Sequence, residues 1–149
     1  MKNLFEAATL AEVKQRMAEL TPESRPQWGS MNAAQALAHC GIALSMAAGE
    51  LTPPRALLGR IFGRTAINSM FRGKPMAHNA PGHPSAVVAD ERDLAIERQN
   101  LIDRLDCFQA GGPSGCTRQP HFFFGKLTPE EWAAFQYIHI DHHLRQFGV

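Results

Sequence analysis

Cysteine is scarce in this chain and has no pattern. Cys40, Cys107 and Cys116 are odd in number and form no CxxC spacing, which argues against a disulfide framework. A dominant charge is also missing. Fifteen Lys and Arg against 14 Asp and Glu leave a net charge of +1, so no global field draws the protein to nucleic acid or to a membrane. There is no basic stripe interleaved with aromatics, as a nucleic-acid partner would require. The longest apolar run, Ala36 to Ala48, is broken by His39 and Ser45 and is too short to span a bilayer. The N-terminal segment carries Glu6 and Glu12 and lacks an apolar signal-peptide core. These absences predict a cytoplasmic protein with neither a nucleic-acid nor a membrane partner. Internal repeats are absent, and Val87-Val88 and Phe122 to Phe124 are the only strand-like runs.

What is present reads as helix. The chain has 149 residues, 44% of them hydrophobic, enough for one domain over 1–149 with a full core. Thr9-Leu10-Ala11-Glu12 has the form of a capping box, and Leu10, Val13, Met17 and Leu20 follow as a short amphipathic helix. Met31 to Gly49 is rich in Ala, Leu and Met, with Asn32 as its N-cap. It is apolar nearly all round, which predicts the most buried helix. Arg55 to Phe71 is a weaker helical stretch containing Gly59 and Gly63, and Lys74 to Ala89 is a long Pro/Gly loop. Asp90 opens a fourth helix striped by Leu94, Leu101, Leu105 and Phe108; a second loop, Gly111 to Lys126, follows it. Thr128-Pro129-Glu130-Glu131 then starts the last helix with a cap, a first-position proline and acids in the first turn. The expected fold class is an all-α helical bundle.

The chemistry is concentrated in His139-Ile140-Asp141-His142-His143. Residues four apart lie one turn apart on the same helix face, so His139 and His143 are placed to share a metal ion. No glutamate follows His139, which excludes the HExxH pattern of metalloproteases. At about 100° per residue, both histidines fall in the apolar arc of the last helix, together with Gln136 and Gln146. His142 falls outside that arc, which suits a role beside the ligands. His39 lies mid-helix on a face shared with Gln35 and Asn32. If the two helices meet, three histidines and an open position make a catalytic type of metal site. Otherwise His39 is a hydrogen-bonded core residue. Gln35, Gln136, Gln146, His142 and Trp28 are the expected neighbours of metal or substrate. His78 and His83 read as exposed loop residues and His121 as packing at a loop end. Arg55, Arg60, Arg64, Arg72 and Lys74 occur in an acid-free stretch. They read as charge balance for Asp90, Glu91, Asp93 and Glu97 rather than as an anion site.

Two segments carry a family likeness: Trp28 to Cys40, WGSMNAAQALAHC, and the C-terminal PHFFFGKLTPEEWAAFQYIHIDHHLRQFG. Through them the chain resembles an uncharacterised branch of the DinB-like (YfiT-like) metalloenzyme superfamily. The resemblance implies a four-helix bundle of up-down-down-up type with one long crossover and short extra helical segments. It also implies a metal site with one histidine from the second bundle helix and an HxxxH pair from the last. These fall on His39, His139 and His143. Characterised relatives include thiol-dependent S-transferases, a maleylpyruvate isomerase and metal-dependent hydrolases. No substrate residue of theirs has a counterpart here.

Residue pattern and resemblance together predict a divalent metal (zinc, nickel or iron), all three suited to imidazole. The expected function is a metal-dependent enzyme acting on a small-molecule substrate, either a hydrolase or a transferase using a low-molecular-weight thiol. A non-catalytic metal- or ligand-binding module is the alternative, and histidines serving only as core polar residues a third reading. A homodimer is compatible with all of them.

Overall fold

The computed structural model describes residues 1–149. Five α-helices run in the order α1 (Ala7–Ala18), α2 (Ala33–Ala48), α3 (Leu57–Phe71), α4 (Leu94–Gly115) and α5 (Pro129–Gln146), with one 3-10 turn at Pro84–Ala86. There are no strands. The two strand-like runs pair with nothing beyond an isolated bridge between His121 and Gly125. No helix is long and apolar enough to cross a membrane.

The two helices that carry the histidines have the best-defined ends. Asn32 caps α2: its side chain accepts from Gln35 N at 2.9 Å, while Gln35 Oε1 accepts from Asn32 N at 3.0 Å. Gly49, at φ 81°, closes α2 in the left-handed conformation. Thr128 and Glu131 form the matching box on α5, and Pro129 takes the first turn, where its missing N–H is not needed. Each such cap contributes about 1 kcal/mol. They fix where the two helices begin, and hence the axial heights of His39, His139 and His143.

Two starts differ from the sequence pattern. The Thr9 hydroxyl donates to Glu6 Oε2 at 2.9 Å, and α1 begins at Ala7 behind Glu6. No box forms at Thr9, because its hydroxyl is spent one turn upstream. The fourth helix begins at Leu94, since Asp93 rather than Asp90 accepts from Ile96 N. Its far end runs on to Gly115 across a break at Gly112, where φ is 54° and ψ −155°.

α2 packs along α4 and α5, and α1 closes over α4 and α5. The shared core is one cluster of 24 buried residues, among them Leu4, Met17, Leu44, Leu101, Leu105, Trp132 and Leu144. Each such large side chain contributes about 1.5–3 kcal/mol by leaving water. Cys40 is buried, Cys107 exposed, and all three cysteines are free.

α3 stands apart. Among the helices it meets only α5. It buries Gly59, Gly63 and Ile67 and leaves Leu57 76%, Leu58 65%, Ile61 71% and Phe62 57% exposed. Its two glycines let the helix lie directly on the α4–α5 loop. A Cβ would come within 2.4 Å of the Phe123 carbonyl oxygen at Gly59 and within 2.0 Å at Gly63.

Candidate metal centre and its cavity

α2 and α5 do meet, and they bring the three histidines together. Ring centroids are 4.9 Å apart for His39–His139, 5.0 Å for His39–His143 and 4.8 Å for His139–His143, close to an equilateral triangle. One ligating nitrogen from each lies within 4.8 Å of the others. His39 Nε2 faces His139 Nε2 at 3.0 Å.

The other ring nitrogens set the tautomers. His39 Nδ1 is 2.7 Å from the Ala86 carbonyl oxygen. That oxygen can only accept, so His39 carries its proton on Nδ1 and presents a lone pair at Nε2. His143 Nδ1 is 2.9 Å from Gln146 Oε1. The Gln146 amide is oriented by its Nε2, which donates to the Trp28 carbonyl at 2.5 Å. His143 Nε2 is therefore a free lone pair as well. Metal-ligating histidines are held in this way, the second nitrogen donating to a carbonyl or amide oxygen. His139 differs: its Nδ1 is buried without a partner, beside the stacked Phe135 ring at 5.9 Å.

All three imidazoles are held neutral. Burial lowers His39 against the opposing pull of the Ala86 carbonyl. Burial lowers His143 to about 4. His139 lies well below the usual range, first through burial and then through His143 and His39. Neutral imidazole is the form that binds metal.

Above the triad opens a cavity of about 500 Å³. Phe122, Phe123, Phe124, Phe135, Trp28 and the loop from Lys74 to His83 line it, His83 meeting Phe122 edge-on at 5.2 Å, and α3 contributes Ala66, Ser69 and Met70. No Asp or Glu lines it. His142 is half-buried at its edge, 5.5 Å from the Trp28 ring, and is lowered by burial and by His78. Exposed His78 stacks flat on Trp28, with centroids 3.9 Å apart and planes at 6°.

The expected neighbours separate in space. Gln146, Trp28 and His142 lie at the cavity. Gln35 does not, because its side chain closes the α2 cap and donates to the Asp90 carbonyl. Gln136 is fully buried and donates to the Ala43 carbonyl at 3.0 Å, tying α5 to α2. The charge-balance reading of the cationic stretch is also corrected. Arg64 pairs with Glu131 on α5, because α3 lies against α5, and Arg92 takes Asp90 and Glu97. His121, read from the sequence as loop packing, lines the cavity. Its only signal in the sequence was its place at the head of His121-Phe122-Phe123-Phe124-Gly125.

No curated protein and no solved structure matches the chain. One family model does, described as Protein of unknown function (DUF1569). That match runs from residue 2 to residue 148 and so takes in every helix, the triad and the cavity, and the chain belongs to the DUF1569 family.

Proposed function

We propose that His39, His139 and His143 hold one divalent metal ion, and that the protein is a metal-dependent enzyme acting on a small organic molecule in the cavity above them. The observation that carries this reading is the convergence of three neutral imidazoles within 4.8 Å at the base of that cavity. Two of their Nε2 lone pairs are fixed by Nδ1 partners. No fourth His, Cys, Asp or Glu joins the cluster, which favours a site with a coordination position open to substrate over a closed structural one. Packing of α1, α2, α4 and α5, with α3 in the connection between α2 and α4, supports a single DinB-like bundle with one long crossover.

A bound ion supplies Lewis acidity and lowers the pKa of water or of a small thiol. The protein's own residues do the rest. Ala86 and Gln146 orient His39 and His143. The phenylalanines make much of the lining apolar. His142, neutral at ordinary pH, lines the cavity beside His143 and can act as a base there. The lining contains no carboxylate to bind a cationic group, so uncharged or anionic substrates are favoured. Hydrolysis and thiol transfer both fit these features.

Untagged protein should carry about one zinc, nickel or iron per chain by elemental analysis. Calorimetric titration of the metal-free protein should then show one strong site. His39→Ala, His139→Ala and His143→Ala should each weaken it by more than the roughly 10–100-fold that loss of an outer partner costs. Unchanged affinity in any two of them would sink the assignment. Ester, amide and electrophile-plus-thiol panels, run on metal-loaded protein and on His143→Ala, test for catalysis.

A further inference from the structure

The connection between α4 and α5 is a closed aromatic turn. His121 N donates to the Gly125 carbonyl at 2.9 Å and Gly125 N donates back at 3.1 Å. Gly125 makes the closure with φ at 85°. Inside the turn, the backbone N–H groups of Phe123 and Phe124 both donate to His121 Nδ1, each at 3.1 Å. A ring nitrogen that accepts two N–H groups carries no proton. Burial, and then Arg55, push the pKa of His121 down to about 3, so the ring is neutral. The single proton of a neutral imidazole then has one place left, Nε2.

The protein provides that Nε2–H with no acceptor, and it is not among the polar atoms sealed away from the surface. His121 lines the same cavity as the triad and also a pocket of about 10 Å³ beside Trp132, which is too small for an organic ligand. Phe135 lies between the two, its centroid 5.2 Å from His121 and 5.9 Å from His139. Phe124 stacks on His121 at 4.6 Å and meets Phe135 edge-on at 4.9 Å. The donor is therefore neutral, fixed in direction, and set beside an aromatic surface.

We propose that His121 forms an oxygen-acceptor subsite of the cavity: its Nε2–H donates to the carbonyl oxygen of a small organic ligand whose apolar body lies against Phe124 and Phe135. This assignment rests on the reading that the cavity takes a small organic molecule. It does not rest on the metal. A neutral donor suits an uncharged oxygen, and a ligand carbonyl that replaces water on it in an apolar wall gains the hydrogen bond where a hydrocarbon of the same shape would leave the donor unpaired. The two backbone bonds to Nδ1 stop the ring from flipping or changing tautomer as ligands enter and leave.

The test uses the full-length protein stripped of metal, so that failure of the metal assignment leaves it intact. Long-range nitrogen–proton NMR should show His121 protonated on Nε2 alone at pH 7; a proton on Nδ1 overturns the proposal. Acetophenone and ethylbenzene, nearly equal in shape and differing in the carbonyl, are then titrated. Acetophenone should bind about tenfold more tightly, the worth of one hydrogen bond, and should shift the His121 Nε2–H resonance. His121→Asn keeps an acceptor for the Phe123 and Phe124 N–H groups, but its amide nitrogen does not reach the Nε2 position. It should fold normally and lose the preference for acetophenone. His121→Gln reaches the Nε2 position but leaves those N–H groups unpaired; it should be less stable and keep the preference. No preference in the wild type, or an undiminished one in folded His121→Asn, overturns the proposal. If His121→Asn does not fold, the tautomer and the wild-type preference decide.

Discussion

Gln146 joins three parts of the molecule through one side chain and its own carbonyl. Its Oε1 takes the His143 Nδ1 proton, its Nε2 holds the Trp28 carbonyl, and its backbone oxygen accepts from Gln27 N at 2.7 Å. Gly29 makes room for it, since a Cβ there would come within 2.7 Å of the amide nitrogen. Gln146→Leu removes the acceptor that aims His143 while keeping an apolar filler. Metal affinity should fall roughly 10–100-fold with the helical circular dichroism retained, as read by calorimetry. Gln146→Glu keeps the acceptor and should recover part of that loss. An unchanged affinity in the leucine variant would mean that packing alone orients His143. At this scale the sequence was legible where helical periodicity applied. His139 and His143 share a face because they are four apart; α2, apolar nearly all round, predicted burial but no direction for His39, whose role hung on whether the two helices meet. A helical wheel gives direction but not height along the axis. It placed Gln136 and Gln146 on one arc, yet Gln136 meets the Ala43 carbonyl and Gln146 the site. His121 lies in a loop with no period to read, and its role depends on two backbone N–H groups that only the closed turn aims at it.

α3 shows at the level of elements how a weak helical pattern can be a specific one. Its glycines lower helix propensity by about 1 kcal/mol each relative to alanine, which made the stretch look marginal in sequence. They are the contact surface. Gly63→Ala would place a methyl group 2.0 Å from the Phe123 carbonyl oxygen, and the obstacle is backbone rather than a side chain that can rotate away. The usual gain from replacing a helical glycine should therefore reverse, with a loss of about 1–3 kcal/mol by overpacking, measured by urea denaturation. A stabilised Gly63→Ala would mean that α3 rides clear of the loop. The capped starts of α2 and α5 were legible because Asn32 and Thr128 each precede a partner three residues on. The same form at Thr9 misled, because nothing local shows that its hydroxyl turns back to Glu6.

Across the whole molecule, stability should depend on the neutral histidines. His121 titrates near 3 and His143 near 4 in the folded protein, against about 6.5 when unfolded. The unfolded chain therefore binds more protons below pH 6.5. Stability of the metal-free protein is complete above that value and declines as pH falls towards the folded values, by at most about 1.4 kcal/mol per pH unit per histidine. Urea midpoints should drop between pH 6.5 and 5, above the range where most carboxylates titrate, and the drop should be shallower in His121→Asn. A flat profile there would show that the histidines are charged when folded. The interlock of Gly59 and Gly63 with Phe123 has a further consequence, for motion. α3 and the aromatic turn both line the cavity, and because their backbones touch, neither swings without the other; that side behaves as a rigid wall. The chain from Lys74 to His83 is held by the flat stack of His78 on Trp28, by the edge-on contact of His83 with Phe122 and, further on, by the Ala86 carbonyl at His39. A segment with so few backbone hydrogen bonds opens at low free energy. Ligand traffic is therefore expected on the Lys74–His83 side, at a rate set by how often the His78–Trp28 and His83–Phe122 contacts open.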